Sequence, residues 1–130
     1  MTSALPWLLM LLAAPAGALV RIADRNDWPW LAGGALAVSA ATFLAVRADK
    51  QRARRGAPRI PEAVLHLAEL CGGWPGGFLA QRVWRHKTAK PGYQAVFWTI
   101  VLLHEAAACE VLAGGRLTRA AADFLRTLGS

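Results

Sequence analysis

Pro61-Glu62-Ala63-Val64-Leu65-His66-Leu67-Ala68-Glu69-Leu70-Cys71-Gly72-Gly73-Trp74-Pro75-Gly76-Gly77-Phe78-Leu79-Ala80-Gln81-Arg82-Val83-Trp84 is the stretch that decides the architecture of this chain. Its two apolar halves, 61–71 and 74–84, hold eleven residues each, roughly 16 Å of helix at 1.5 Å per residue. A bilayer core is roughly 30 Å thick, so neither half crosses one alone. Between them Gly72 and Gly73 can end a helix in a left-handed cap, and Pro75, followed by Gly76, suits the first turn of the next. Gly72, Gly73, Pro75 and Gly76 therefore predict a hairpin break. The chain folds back there, and the hairpin either dips into a membrane or lies on its surface.

Both flanks of the stretch are basic. Arg47, Lys50, Arg52, Arg54, Arg55 and Arg59 precede it, and Arg82, Arg85, Lys87 and Lys90 close it. Had the stretch crossed a bilayer, the two clusters would face opposite sides, against the preference of Lys- and Arg-rich loops for the cytoplasm. Folding back unites them. Further out lie three long apolar segments, about 4–20, 29–46 and 94–114, each near the roughly 20 residues that a spanning helix needs. Met1 to Leu5 holds no Lys or Arg, so the first lacks the positive start of a secretory signal and reads as a retained span. Gly33, Gly34, Ala37, Ala40 and Ala41 give the second a small-residue surface for a neighbouring helix, or for a second subunit in a homodimer.

Composition points the same way. The 130 residues are 55% hydrophobic with a mean hydropathy of +0.32, more apolar than ordinary soluble domains. The formal charge is nevertheless +7, so the cations crowd into the aqueous segments. In the first connection Arg21 and Arg25 are offset by Asp24 and Asp27. Trp28 and Trp30 therefore belong at the far interface, with the amino terminus and the basic loop 47–60 in the cytoplasm. Arg116, just before an amphipathic tail from Leu117 to Leu128, and Arg119 and Arg126 on it fall on the far side and count against that orientation. Cys71 and Cys109 lack metal-ligand spacing and read as small core residues. The expected fold is all-α: one integral membrane domain over 1–130, polytopic, with three transmembrane helices plus a broken re-entrant or interfacial helical hairpin at 61–84.

The hairpin carries a polar stripe. Glu62, His66 and Glu69 recur at i, i+4 and i+7 on one helical face. A carboxylate at membrane depth needs a partner or a proton, so Glu62 or Glu69 is expected to pair with Arg82 or Arg85. Asp49 and Lys50 join this structural polar cluster of Asp49, Lys50, Glu62, His66, Glu69 and Arg82.

An ordered series of signatures carries a resemblance. Asp49-Lys50 with Ala53, Arg59-Ile60-Pro61-Glu62, Leu65-His66, Gly72-Gly73-Trp74-Pro75-Gly76, Gln81, Arg85-His86-Lys87-Thr88, Lys90 and Val96-Phe97-Trp98 together resemble a family of small bacterial inner-membrane proteins catalogued as domain of unknown function 1294. The resemblance covers roughly Val46 to Leu103. It implies a multi-pass location in the bacterial inner membrane and no established reaction. Family members occur alone or behind a cold-shock domain, which is missing here, so nucleic-acid binding does not carry over.

Three chemistries compete for the polar residues. Glu62, His66, Glu69 and His86 have metal-ligand chemistry, but nothing fixes a geometry and the cations around His86 repel an ion, so the expectation is no metal and no cofactor. Arg85, Lys87, Thr88 and Lys90, with Arg59, form an anion-binding set in which Arg supplies a planar fork and Lys a point charge. At a cytoplasmic leaflet the natural partner is an anionic phospholipid headgroup. Nucleic acid would be drawn to the same face by counterion release, but no recognition motif or aromatic platform supports it. Glu62, His66 and His86 are the candidate catalytic residues of a rival reading, a small membrane-embedded enzyme. Arg85-His86 followed by Tyr93 only faintly resembles the Arg-His-Pro-x-Tyr signature of membrane methyltransferases. His104 and Glu105 lie near the middle of the third span, where ionisable residues point to function. The sequence favours a non-catalytic module over an enzyme.

Overall fold

A computed structural model describes residues 4–23 and 27–129. Asp24 and Arg25, part of the charge balance of the first connection, lie outside them. Every regular element among the described residues is helical: α1 (Ala4–Ile22), α2 (Trp28–Arg54), α3 (Glu62–Ala68), a π-helical turn (Glu69–Gly73), α4 (Trp74–Trp84), α5 (Pro91–Leu112) and α6 (Arg116–Leu128). The all-α fold is the one expected. Helices α1, α2 and α5 are long and apolar enough to cross a membrane, with 18-residue windows reaching mean hydropathies of 1.8, 1.6 and 1.6. Their outward faces expose Leu5, Leu9, Met10, Leu36, Leu102 and Leu103. Against water that surface is costly at ~25 cal/mol per Å²; against hydrocarbon it is the ordinary exterior of a multi-pass membrane protein.

Two boundaries move. Helix α2 runs on to Arg54, so the first half of the basic segment 47–60 is helix rather than loop, because Arg, Ala, Lys and Gln are all good helix formers. Helix α5 begins earlier than expected, at Pro91, whose missing N–H is no loss in a first turn.

Helix α1 lies along α5. A methyl added at Gly17 would touch the Leu112 side chain, and Arg21 Nη1 donates to Leu112 O at 2.6 Å. The two helices therefore run parallel, and α2 runs against them. Leaning on α2 is the broken segment. Gly72 takes φ 106°, a backbone conformation open to glycine alone, and this is where α3 and its π turn give way to α4. Gly73 and Gly76 serve a different purpose. A Cβ at Gly73 would collide with the Thr42 hydroxyl, and one at Gly76 with the Ser39 carbonyl, so these glycines let the turn approach the α2 backbone.

The small-residue face of α2 is not where the sequence reading put its neighbour. A Cβ at Gly33 or Gly34 would meet nothing within 4 Å, because α1 packs chiefly on α5 instead. The cysteines also differ from expectation: Cys71 and Cys109 are free thiols on exposed surface, since an apolar residue on a lipid-facing helix points outward as readily as inward. The core is built from Val46, Leu65, Trp74, Phe78, Tyr93 and Phe97. Gly114 and Gly115, at φ 63° and 78°, turn the chain from α5 into α6, which buries no residue.

Candidate functional site

Where the broken segment returns to its starting point, it closes on a polar cluster. After Trp84 the chain reverses through two left-handed residues, Arg85 at φ 48° and Lys87 at φ 59°. The His86 N–H reaches back to Gln81 O at 3.1 Å, the 6→1 bond of a Schellman cap. That reversal aims His86 and Lys87 at the end of α2. Lys50 Nζ donates to Trp84 O, a terminal carbonyl of α4, and the Arg47 guanidinium lies 5.3 Å from the centre of a Trp84 ring.

Asp49 is the hub of the cluster and is wholly buried. Its carboxylate accepts the Ile60 N–H at 2.9 Å, Arg59 Nη2 at 3.2 Å and a hydrogen bond with His86 Nε2 at 2.6 Å, and Lys87 Nζ stands 3.4 Å away. Glu62, at the start of α3, accepts Lys87 Nζ at 3.2 Å and also Lys90 Nζ. The Lys90 hydrogen bond holds the Glu62 carboxyl below the usual carboxylate range, with Lys87 adding to it against the opposing effect of burial.

A second buried carboxylate sits one layer deeper. Glu69 accepts the Tyr93 hydroxyl at 2.6 Å and pairs with His66 Nδ1 at 2.8 Å. The His66 ring lies over Tyr93 with centroids 4.2 Å apart and planes 30° from parallel. Lys87 Nζ sits 5.0 Å from the Tyr93 ring centre, within cation–π range. Its side chain is only 4% exposed, so this one lysine ties both carboxylate groups together.

The stripe of Glu62, His66 and Glu69 thus faces one cluster with Asp49 and His86. The partners differ from those the sequence proposed. Glu62 meets Lys87 and Lys90, and Glu69 meets His66 and Tyr93, whereas Arg82 lies exposed over the Phe78 ring at 5.0 Å. Arg85 is turned outward by its left-handed backbone. Lys50 sits at the edge, on the end of α4. Of the anion-binding set, Arg59, Lys87 and Lys90 are engaged by carboxylates, while Arg85 and Thr88 are exposed and make no polar contact among the described residues. No group of three or more His, Cys, Asp or Glu residues among the described residues is arranged to hold a metal ion.

Tyr93 was missed as a site residue. It is the only tyrosine of the chain, placed in the first turn of a spanning helix, and a phenol at such a boundary usually has a polar partner. A second missed contact is Gln94 Nε2, which donates to Gln81 Oε1 at 2.7 Å and to Lys87 O at 3.1 Å. His104 and Glu105 stand eleven and twelve residues beyond Tyr93, roughly 16 Å or more along α5. They belong to a different region, where His104 Nδ1 pairs with Ile100 O at 2.8 Å.

Chemically, the arrangement is a self-neutralised clasp: two cations, one imidazole and one backbone amide on Asp49, two lysines on Glu62, and one imidazole with one phenol on Glu69. Fold and site together define a multi-pass helical protein of membrane type whose broken third segment is clasped shut by buried ion pairs. Residues 39–93 match the family model described as Protein of unknown function (DUF1294), the family that the polar signatures resemble. No curated protein and no solved structure matches the chain. The matched segment begins at Ser39, where Gly76 meets α2, and ends at Tyr93. It contains every residue of the clasp and leaves out α1 and α6.

Proposed function

We propose that this protein is a non-catalytic module of the bacterial inner membrane, with its amino terminus and both basic clusters in the cytoplasm. Its broken hairpin enters the bilayer from that side, and its basic face rests on anionic phospholipid headgroups. The observation that carries this reading is the bond of Glu62 to Lys87 and Lys90. It holds the entrance and exit of the hairpin together, so Arg47–Arg59 and Arg82–Lys90 share one end of the molecule. With Arg59, Lys87 and Lys90 neutralised internally, headgroup binding falls to exposed cations such as Arg54, Arg55 and Arg85, at roughly 1 kcal/mol each near the surface. Single cysteines at positions 57 and 89 test the topology: both should react with an impermeant maleimide from the same side, and reaction from opposite sides refutes the hairpin. Headgroup binding is tested in nanodiscs of mixed phosphatidylglycerol and phosphatidylcholine. Arg54→Gln, Arg55→Gln and Arg85→Gln together should abolish enrichment of phosphatidylglycerol around the protein.

One observation favours a second reading, a membrane-embedded enzyme. His66 and His86 are each oriented by a buried carboxylate, Glu69 and Asp49, as the imidazole of a general base is. On that reading His66→Ala removes a specific cellular phenotype while insertion and protein level stay intact.

A further inference from the structure

At the end of the bundle opposite the clasp, the fold leaves an opening. The turn of the hairpin meets α2 at Ser39 and Thr42, midway along that helix, and neither α3 nor α4 reaches further. Helices α1, α2 and α5 continue past it. The space beyond the turn is a groove of about 1170 Å³, slightly above the roughly 300 to 1,000 Å³ of ligand sites. Leu31, Gly34 and Ala35 of α2, Leu19 of α1, and Ala107 and Val111 of α5 line its length, and Leu70, Cys71 and Trp74 form its floor.

We infer that this groove binds the hydrocarbon tail of a phosphate-headed membrane lipid. Its walls are mostly apolar, and two of their polar groups, the Ser39 hydroxyl and His104 Nδ1, already have partners within the chain. The Ser39 hydroxyl donates to Gly72 O at 3.5 Å, and His104 Nδ1 is held by Ile100 O. A polar guest would lose its hydration there without replacement bonds, whereas a hydrocarbon chain loses nothing. Charge complementarity selects a lipid over other apolar guests. Arg21 lies at the distal end, next to the lining residue Ile22, and is anchored through Nη1 to Leu112 O, next to the lining residue Val111. The rest of its exposed guanidinium fork is available to a phosphate oxygen. A tail in the groove with its phosphate at Arg21 satisfies both ends of the site. The groove faces hydrocarbon only if the hairpin enters the bilayer, so the inference rests on the placement proposed above.

The test uses the full chain reconstituted in vesicles of phosphatidylglycerol and phosphatidylcholine, with a trace of phosphatidylglycerol carrying a diazirine near the end of its acyl chain. After photolysis, adducts mapped by mass spectrometry should concentrate on Ala35, Ser39 and Ala107 relative to Leu9, Met10 and Leu102 on the outer surface. A Cβ at Gly34 meets nothing within 4 Å, so Gly34→Phe can fill the groove; it should lower the groove adducts about tenfold, the effect of losing ~1.4 kcal/mol of binding, and leave those on Leu102 unchanged. Arg21→Gln should lower them as well. The adduct map of the unsubstituted chain decides the matter even if Gly34→Phe fails to insert. An even distribution of adducts over the groove and the outer surface overturns the inference. Cys71, left as the sole thiol by Cys109→Ala, separates the two readings. Reaction of Cys71 with an impermeant maleimide in intact vesicles places the turn in water and sinks the hairpin placement, whereas a protected Cys71 with evenly spread adducts sinks the lipid site alone.

Discussion

Lys87 Nζ lies 3.2 Å from Glu62 Oε1 although 25 residues separate the two in sequence, and the same ammonium stands 3.4 Å from Asp49 Oδ2. One buried lysine therefore joins three parts of the chain: the end of α2, the start of α3 and the reversal after α4. The broken segment is held by charge where it begins and ends, and by close backbone approach to α2 at Ser39 and Thr42 where it turns.

That arrangement makes Asp49 the residue least able to be lost. Removing one member of a buried ion pair costs about 3–5 kcal/mol, because the partners stay behind uncompensated. Asp49→Ala is expected to fall in that range, measured by denaturant or thermal unfolding in detergent micelles. A double-substitution cycle with His86→Ala should return a coupling of ~1 kcal/mol or more, since the two groups are in direct contact. Independent effects would show that the 2.6 Å contact contributes nothing.

The glycines of the hairpin and those of α2 should respond in opposite ways. Gly76→Ala puts a methyl inside the radius of the Ser39 carbonyl, with backbone on both sides and nothing free to yield, so it is expected to abolish the folded form or cost several kcal/mol, on the order of an overpacked core site. Gly33→Ala meets open space and should stabilise α2 by up to about 1 kcal/mol through helix propensity. Folded yield and melting temperature of the two variants check this directly. A large loss with Gly33→Ala would instead reveal that a second copy packs there.

Acid should loosen the clasp at Glu62. Its folded pKa is depressed below the ordinary value of 4.5, so the stabilisation it contributes is fully present above that pH and is lost as pH falls through the lowered value. Unfolding measured from pH 6 down to about 3 should show stability dropping on the acid side of 4.5, with Glu62→Gln flattening that part of the curve. A variant with the same acid dependence as the parent chain would assign the effect to another group.

Arg85 occupies the left-handed position of the α4 cap with a side chain that makes no polar contact among the described residues. A non-glycine residue there costs roughly 1–2 kcal/mol of backbone strain, so Arg85→Gly should be neutral or stabilising in melting experiments even though it removes a cation. Lys87→Gly relieves the same strain at φ 59° but gives up the ion pairs with Asp49 and Glu62, and should destabilise. Equal effects at the two positions would contradict the division of roles between an outward cation and a buried one.

The periods and lengths of the apolar runs, the Gly-Pro punctuation at 72–76 and the placement of the cations by themselves determined that the chain is all helical, with three helices able to span and a broken pair of half-length helices between basic flanks. Those are local properties, fixed by hydrophobicity, helix length and backbone freedom within a few residues. The stripe of Glu62, His66 and Glu69 was legible for the same reason, since helical spacing puts the three side chains on one face. Which cation meets which carboxylate was decided only by the tertiary structure. Arg82 and Arg85 lie nearer in sequence to Glu62 than Lys87 does, but the left-handed turns at Arg85 and Lys87 send Arg85 outward and Lys87 onto Glu62 and Asp49. Tyr93 became a site residue only because α5 starts beside the π turn. The purposes of Gly73 and Gly76 emerged only from their contact with Ser39 and Thr42, because close approach between distant backbones leaves no mark in local sequence.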